Sequence, residues 1–185
     1  MPEIEIRPAN AADLPALLAI EHDYVSDHVW QLNVQRESGA SPADEQVTVT
    51  FRQMHLPRSV HVAYPRSVSA LVDNWKDRDG LLVAVLAGEV VGYISLQLNM
   101  APQATWVTDL AVSRRCRRQR IASGLVLAGQ AWALQQGSLR MVLEIQPKNY
   151  PAIRLAQQLG YELCGYNDRY YPNSDIALFF AKTIR

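Results

Sequence analysis

Trp106-Val-Thr-Asp-Leu-Ala-Val112, Ser113-Arg-Arg-Cys-Arg-Arg-Gln-Arg120 and the run from about Ile121 to Gln136 decide the fold. The first stretch reads as a strand, the second as a cationic turn, and the third as a helix that stops at Gly137. A strand that feeds a cationic turn and then a helix N-terminus makes an anion site. The first helical N–H groups lack intrahelical partners, and the macrodipole adds partial positive charge there. Ala122, Ser123 and Gly124 keep the first turn small enough for a diphosphate to approach the backbone.

Outward from this unit, Glu3 to Arg7 alternates and fits a first strand. Asn10 caps a following helix with Asp13 in its first turn and Leu14, Leu17 and Leu18 at helical spacing. The segment from Asp23 to Trp75 is irregular. It predicts a helix near Tyr24 to Gln35, a loop around Ser38 to Asp44, a strand near Gln46 to Met54 and a short helix near Ser67 to Trp75. Leu81 to Leu86, a turn, and Val90 to Leu98 make a hairpin. In the long helix Ile121, Leu125, Ala128 and Trp132 form a core-facing stripe. Leu139 to Ile145 is the next strand. Pro151 to Leu159 is a helix stopped by Gly160, and Tyr161 to Asn167 and Ile176 to Thr183 are the last strands. These elements predict an α/β (α+β) fold: a central mixed, mostly antiparallel sheet of six or seven strands with helices on both faces.

The stretch from Leu110 to Ala122 resembles the acetyl-CoA-binding core of the GNAT superfamily of N-acetyltransferases. The family pattern is a hydrophobic strand ending in a Val-like residue, a short gap, then Q/R-x-x-G-x-G/A. Here it is Leu110-Ala111-Val112 and, after the gap, Arg117-Arg118-Gln119-Arg120-Ile121-Ala122, with Arg120 in place of the central glycine. A second family motif follows in order: Leu143-Glu144-Ile145, Asn149-Tyr-Pro-Ala152 and Leu159-Gly160-Tyr161. The opening Ile6-Arg7-Pro8-Ala9 with Asp13-Leu14 is also common in the family. The run Leu143-Glu-Ile-Gln146 and the late Asp175-Ile-Ala-Leu-Phe strand are similar to streptothricin-type acetyltransferases. The resemblance covers most of the chain as a single domain, 1–185, with a variable acceptor-side segment at about 23–75.

The resemblance implies acetyl-CoA as cosubstrate and no metal. The backbone of Leu110, Ala111 and Val112 and the amide of Asn149 would hold the pantetheine arm. The pyrophosphate would rest on Arg117, Arg118, Gln119, Arg120, Ile121, Ala122 and Ser123. Acetyl transfer to a primary amine also needs a proton acceptor, because an exposed lysine-type amine has a pKa of about 10.4. Glu144 is the first candidate; its alternative is to order backbone or bind a cationic substrate group. Many family members carry a tyrosine seven residues after the Asn149 position, which here is Ala156. Tyr170 and Tyr171 are candidates to stand in for it, with an aromatic lid as the alternative. Alternation along 106–112 puts Asp109 with Val107 and Ala111 on one face. Which face meets the acceptor stays open.

Composition bounds the partners. Net charge is zero, so no global field recruits nucleic acid or an acidic membrane. The arginine cluster at 114–120 is a nucleic-acid signal by itself, but the phosphates of coenzyme A are a sufficient ligand for it. Two cysteines make no disulfide framework and suggest a reducing, cytoplasmic setting. None of the four histidines has metal-ligand spacing. The expected acceptor is a small-molecule amine, with a peptide N-terminus as the alternative, and dimers are common in such folds. A non-catalytic acyl-CoA sensor is the reading from a different class.

Overall fold

The computed structural model describes residues 4–37 and 45–185; the loop expected at Ser38 to Asp44 lies outside them. Seven strands form one sheet in the order β1-β4-β5-β6-β7-β9-β8. They are β1 (Ile4–Pro8), β4 (Gly80–Leu86), β5 (Glu89–Ala101), β6 (Ala104–Val112), β7 (Arg140–Ile145), β8 (Glu162–Asn167) and β9 (Ala177–Thr183). Among the described residues only the β6–β7 pair is parallel, because a helix crosses between those strands. That helix is α3 (Ile121–Gln135). It shares one face of the sheet with α4 (Tyr150–Gln158), while α1 (Leu14–Ala19) and α2 (Val68–Asp73) cover the other. The expected mixed sheet with helices on both faces is what forms.

The α3 stripe is rotated from the expected one. Ile121, Leu125, Val126, Gly129 and Ala133 are buried, while Ala128 and Trp132 flank them at the margin. Glycine explains the shift: a Cβ on Gly129 would come within 3.1 Å of the Met141 methyl and 3.2 Å of Ile94. The helix therefore lays its slimmest residue against the sheet. Gly92 is tighter still, since a Cβ there would sit 2.9 Å from the Ala111 carbonyl, which is backbone and cannot swing away. Gly92→Ala is expected to cost about 1–3 kcal/mol by overpacking. Chemical denaturation of the purified variant checks this, and unchanged stability would mean that β5 and β6 are not this close.

The segment after α1 differs most from expectation. Tyr24 to Gln35 is not a helix but most of β2 (Tyr24–Glu37), paired antiparallel with β3 (Gln46–Val62) in a separate two-stranded sheet. Its alternation serves the pairing: Trp30 and Leu32 face Gln53 and Phe51, and Trp30 packs edge-on against Phe180 of β9. β3 also runs well past the expected end at Met54. The register shifts between Ser26 and His28, leaving residues 56–59 without ladder partners, so Pro57 sits in the irregularity and costs no hydrogen bond. The hairpin lies over α4 through the His28–Tyr150 stack and over β9 through Trp30, whose backbone N–H donates to the Pro147 carbonyl at 3.0 Å. It closes one side of the sheet's central opening. No helix among the described residues is long and apolar enough to cross a membrane.

Candidate active site

The parallel pairing of β6 and β7 ends at Val107 opposite Leu143. Beyond it the two strands separate, and a cavity of about 90 Å³ opens between residues 107–111 and 143–146. The phase of β6 is set by Ser113, whose N–H donates to the Val91 carbonyl at 2.8 Å. Counting back, Ala111 and Asp109 spend their backbone groups on β5, and Leu110 and Val112 turn theirs into the opening. Two of the opening's carbonyls are already taken, Thr108 by Arg66 at 2.8 Å and Val112 by Arg117 Nε at 2.9 Å. The N–H and C=O of Leu110 remain as an unpaired strand edge among the described residues.

A bulge decides which side chains reach this opening. Ser95 faces Asp109 and Leu96 faces Val107, so Thr108 is an extra residue. The expected face-sharing of Asp109 with Val107 therefore fails. Val107 points into the core under α3, whereas Asp109 stays with Ala111 and Tyr93 on the opposite side. There Asp109 is bound by the Tyr64 hydroxyl, by Arg78 at 2.9 Å, by Thr108 Oγ1 at 3.2 Å and by Arg66 at 3.5 Å.

Across the gap, Glu144 has a side-chain exposure of 0 % and its carboxylate accepts from Arg66 and, at 2.8 Å, from the Tyr170 hydroxyl. Burial pushes its pKa up, against the opposing pull of Arg66, Tyr170 and Tyr171. Tyr171 lines the cavity; Tyr170 stands behind it with rings edge to face at 5.2 Å. Burial, then the neighbouring Glu144, pushes the Tyr170 phenol up to about 12, and burial raises Tyr171 further. Arg66 ties the two walls together, bridging Thr108 and Asp109 on β6 to Glu144 on β7 and lying 5.1 Å over the Tyr171 ring. Asn149 also lines the cavity, and its Oδ1 accepts from the Ala152 N–H at 3.2 Å, capping α4. Ala156, by contrast, is buried in the core.

At the other end of β6 the cationic turn adopts a loop that glycine would normally supply. Arg118 and Arg120 have φ of 66° and 63°, and Arg120 is the residue immediately before α3. Arg120 thus takes the left-handed conformation despite its Cβ. Among the described residues the N–H groups of Arg118 to Ser123 have no acceptor, and Gly124 is the first to bond, to the Arg120 carbonyl at 3.0 Å. Arg117 differs from its expected role. Its N–H donates to Arg114 at 3.3 Å, and its guanidinium is held by the carbonyls of Val112, Glu21 and Asp23. It builds the loop from inside. Ile121 points its side chain into the core and offers only its N–H, and Gln119 caps back onto the Arg115 carbonyl at 3.3 Å. Arg114 pairs with Asp23 and Arg115 with Glu89, which leaves Arg118 and Arg120 as exposed cations without an ion pair among the described residues. The cluster is thereby reduced to two available charges beside a fan of N–H groups, a fit to a diphosphate rather than to a long polyanion. No group of three or more metal-ligating side chains is found among the described residues.

Arg66, Arg78, Tyr93 and His22 were not legible as site residues. They come from the irregular segment, from the short connectors on either side of it and from β5, and nothing in their spacing marks them.

This arrangement of an open strand edge, a donor-rich helix start and a buried polar cavity matches a known family. The profile of the Acetyltransferase (GNAT) family covers residues 49–161, more than half of the chain. The protein belongs to that family, whose reaction is acetyl-CoA-dependent acetyl transfer. Among solved structures, the chain is similar to a nourseothricin acetyltransferase, with a TM-score of 0.80 and 18 % identity over 98 % of this chain and 99 % of that one. A protein described as a streptothricin acetyltransferase from Bacillus anthracis str. Ames, solved with acetyl coenzyme A, gives a TM-score of 0.76 and 16 % identity, covering 99 % of each chain. The ribosomal-protein-S18-alanine N-acetyltransferase from Escherichia coli gives 0.67 and 18 %, covering 98 % of this chain and 94 % of that one. No curated sequence matches the chain.

Proposed function

We propose that the protein acetylates a primary amine on a small molecule, and that the amine enters the opening between β6 and β7. The observation that carries this reading is the pair of buried carboxylates, Asp109 and Glu144, on opposite walls of the cavity that the diverging strands leave. A small cavity of about 90 Å³ walled by Tyr64, Arg66 and Tyr171 suits an amine on a slender stem better than a peptide backbone. The two structures with the higher TM-scores are named for acetylation of small molecules, which points the same way.

Acetyl-CoA supplies the activated acetyl group. Its pyrophosphate would rest on the N–H groups of Arg118 to Ser123, with Arg118 and Arg120 as countercharges, and its pantetheine arm would run along Leu110 and past Asn149. The Thr108 bulge turns β6 at the point where the thioester would lie. Glu144 takes the proton from the attacking nitrogen. Tyr171, which lines the cavity beside it, hands a proton to the departing sulfur and is resupplied by Glu144, with Tyr170 holding that carboxylate in place.

Ala122→Trp is expected to weaken acetyl-CoA binding at least tenfold, since the indole would cover the N–H fan. Unchanged affinity in calorimetry would refute this placement. The acceptor class is tested by following CoA release with alkyl diamines against short peptides with free N-termini. Turnover confined to peptides would overturn the small-molecule reading.

A further inference from the structure

Acetylation of an ammonium group removes two protons from one nitrogen. R–NH3+ and acetyl-CoA give R–NH–COCH3, CoA–SH and one free proton. The nitrogen's lone pair forms the C–N bond as the C–S bond breaks, and one proton returns to the sulfur. The other must leave a site whose carboxylates have 0 % and 2 % side-chain exposure.

The structure holds a chain of hydroxyls that leads from one of those carboxylates toward the surface. Asp109 Oδ1 accepts from the Tyr64 hydroxyl. Tyr64 and Tyr93 stand on the same imidazole, with ring centroids 4.9 and 5.7 Å from that of His22. Tyr93 Oη lies 2.9 Å from His22 Nε2. All four residues line the acceptor cavity. Tyr93 is completely buried in the face of the sheet covered by α1 and α2, an environment in which leucine or phenylalanine would pack without needing a partner. His22 is half-buried at the end of the chain, in the short connector between α1 and β2. Nε2 is the ring nitrogen that faces the Tyr93 hydroxyl, so a neutral imidazole with its proton on Nδ1 accepts from Tyr93.

We propose that Asp109, Tyr64, Tyr93 and His22 form the exit path for the ammonium proton. This rests on the acetyl-transfer reading above. Asp109 receives the proton, which frees the Tyr64 O–H to turn to Tyr93. One concerted shift then re-forms the Asp109 carboxylate and both phenols and leaves the proton on His22, from which solvent takes it. Tyr64, Tyr93 and His22 act through Asp109 and are positioning residues. The path needs a neutral imidazole at the start, and burial lowers the His22 pKa, against Asp109 and Asp23, which raise it, and with Arg117, which lowers it further. The remaining charged neighbours of the chain, Arg78 and Arg66, both pair with Asp109.

The test compares wild type with His22→Ala and Tyr93→Phe, using n-butylamine as acceptor and thiol release as the signal. His22→Ala is expected to lower kcat at least tenfold with the acetyl-CoA dissociation constant unchanged. Added imidazole should restore the rate, and substituted imidazoles should restore it in the order of their basicity, a response no packing defect gives. Full kcat in folded His22→Ala would overturn the path. A second measurement needs no turnover: histidine 15N spectra of wild type and Tyr64→Phe. That variant keeps the ring beside His22 and removes only the hydroxyl one link further on, so a displaced His22 Nε2 signal is expected and an unmoved one contradicts the chain. Absence of n-butylamine turnover by wild type, with a displaced signal, would count against the proposed acceptor class alone.

Discussion

Glu144→Gln is expected to lower kcat by about 10²–10⁴-fold, the usual contribution of a positioned general base, while leaving acetyl-CoA binding unchanged. Gln keeps the volume; its carbonyl oxygen can still accept from Arg66 while its NH2 donates to the Tyr170 oxygen, so the walls of the cavity stay in place. What it loses is the capacity to take a proton. The pH profile of the wild type carries the same information. Glu144 must be ionised to act, and burial holds its pKa above the ordinary glutamate value. Activity should therefore fall as pH drops through that raised value, with the acidic limb above about 4.3, and the limb should vanish with Glu144→Gln in whatever activity remains. Equal losses in turnover and cofactor affinity, or no loss in either, would show that Glu144 orders the strand and does no chemistry.

Asp109→Ala is expected to destabilise the fold by about 3–5 kcal/mol, because removing one partner strands a charge that the other had balanced. Asp109 is the shared acceptor for Arg78, Arg66 and the Tyr64 hydroxyl, and the side chains of Arg78 and Asp109 are only 18 % and 2 % exposed. Domains of this size are stable by about 5–15 kcal/mol in total, so the loss is a large share. Equilibrium unfolding in denaturant reads it directly. A cost under about 1 kcal/mol would mean the pair is better solvated than its burial implies.

The parts of this protein legible in its sequence are those governed by local chemistry. The strand–turn–helix unit at 106–136 was visible because apolar alternation, an arginine run and small residues at a helix start each have a short-range cause. Glu144 and Asn149 were reachable as members of a motif on adjacent elements, and they do line one cavity. The β2–β3 hairpin was not legible at its first strand. Tyr24 to Gln35 mixes polar and apolar residues with no cap or breaker, and its conformation is set by a partner strand up to 38 residues away rather than by its own propensity. The phase of Asp109 was misread for a different reason. A single extra residue at Thr108 inverts every face assignment before it, and no residue type announces a bulge at that point. The clamp from Arg66 and the chain through Tyr93 depend on side chains brought from distant parts of the sequence, which only the folded sheet places together.

The central claim is that acetyl-CoA occupies the opening between β6 and β7 with its diphosphate on the start of α3. Calorimetric titration of the purified protein with acetyl-CoA, with free CoA for comparison, tests it most directly. Saturable binding at one site per chain is the expected result, with Arg118 and Arg120 giving it a marked salt dependence and Ala122→Trp reducing it. No binding at millimolar ligand would contradict it, and the N–H fan with its two free arginines would then belong to another anion.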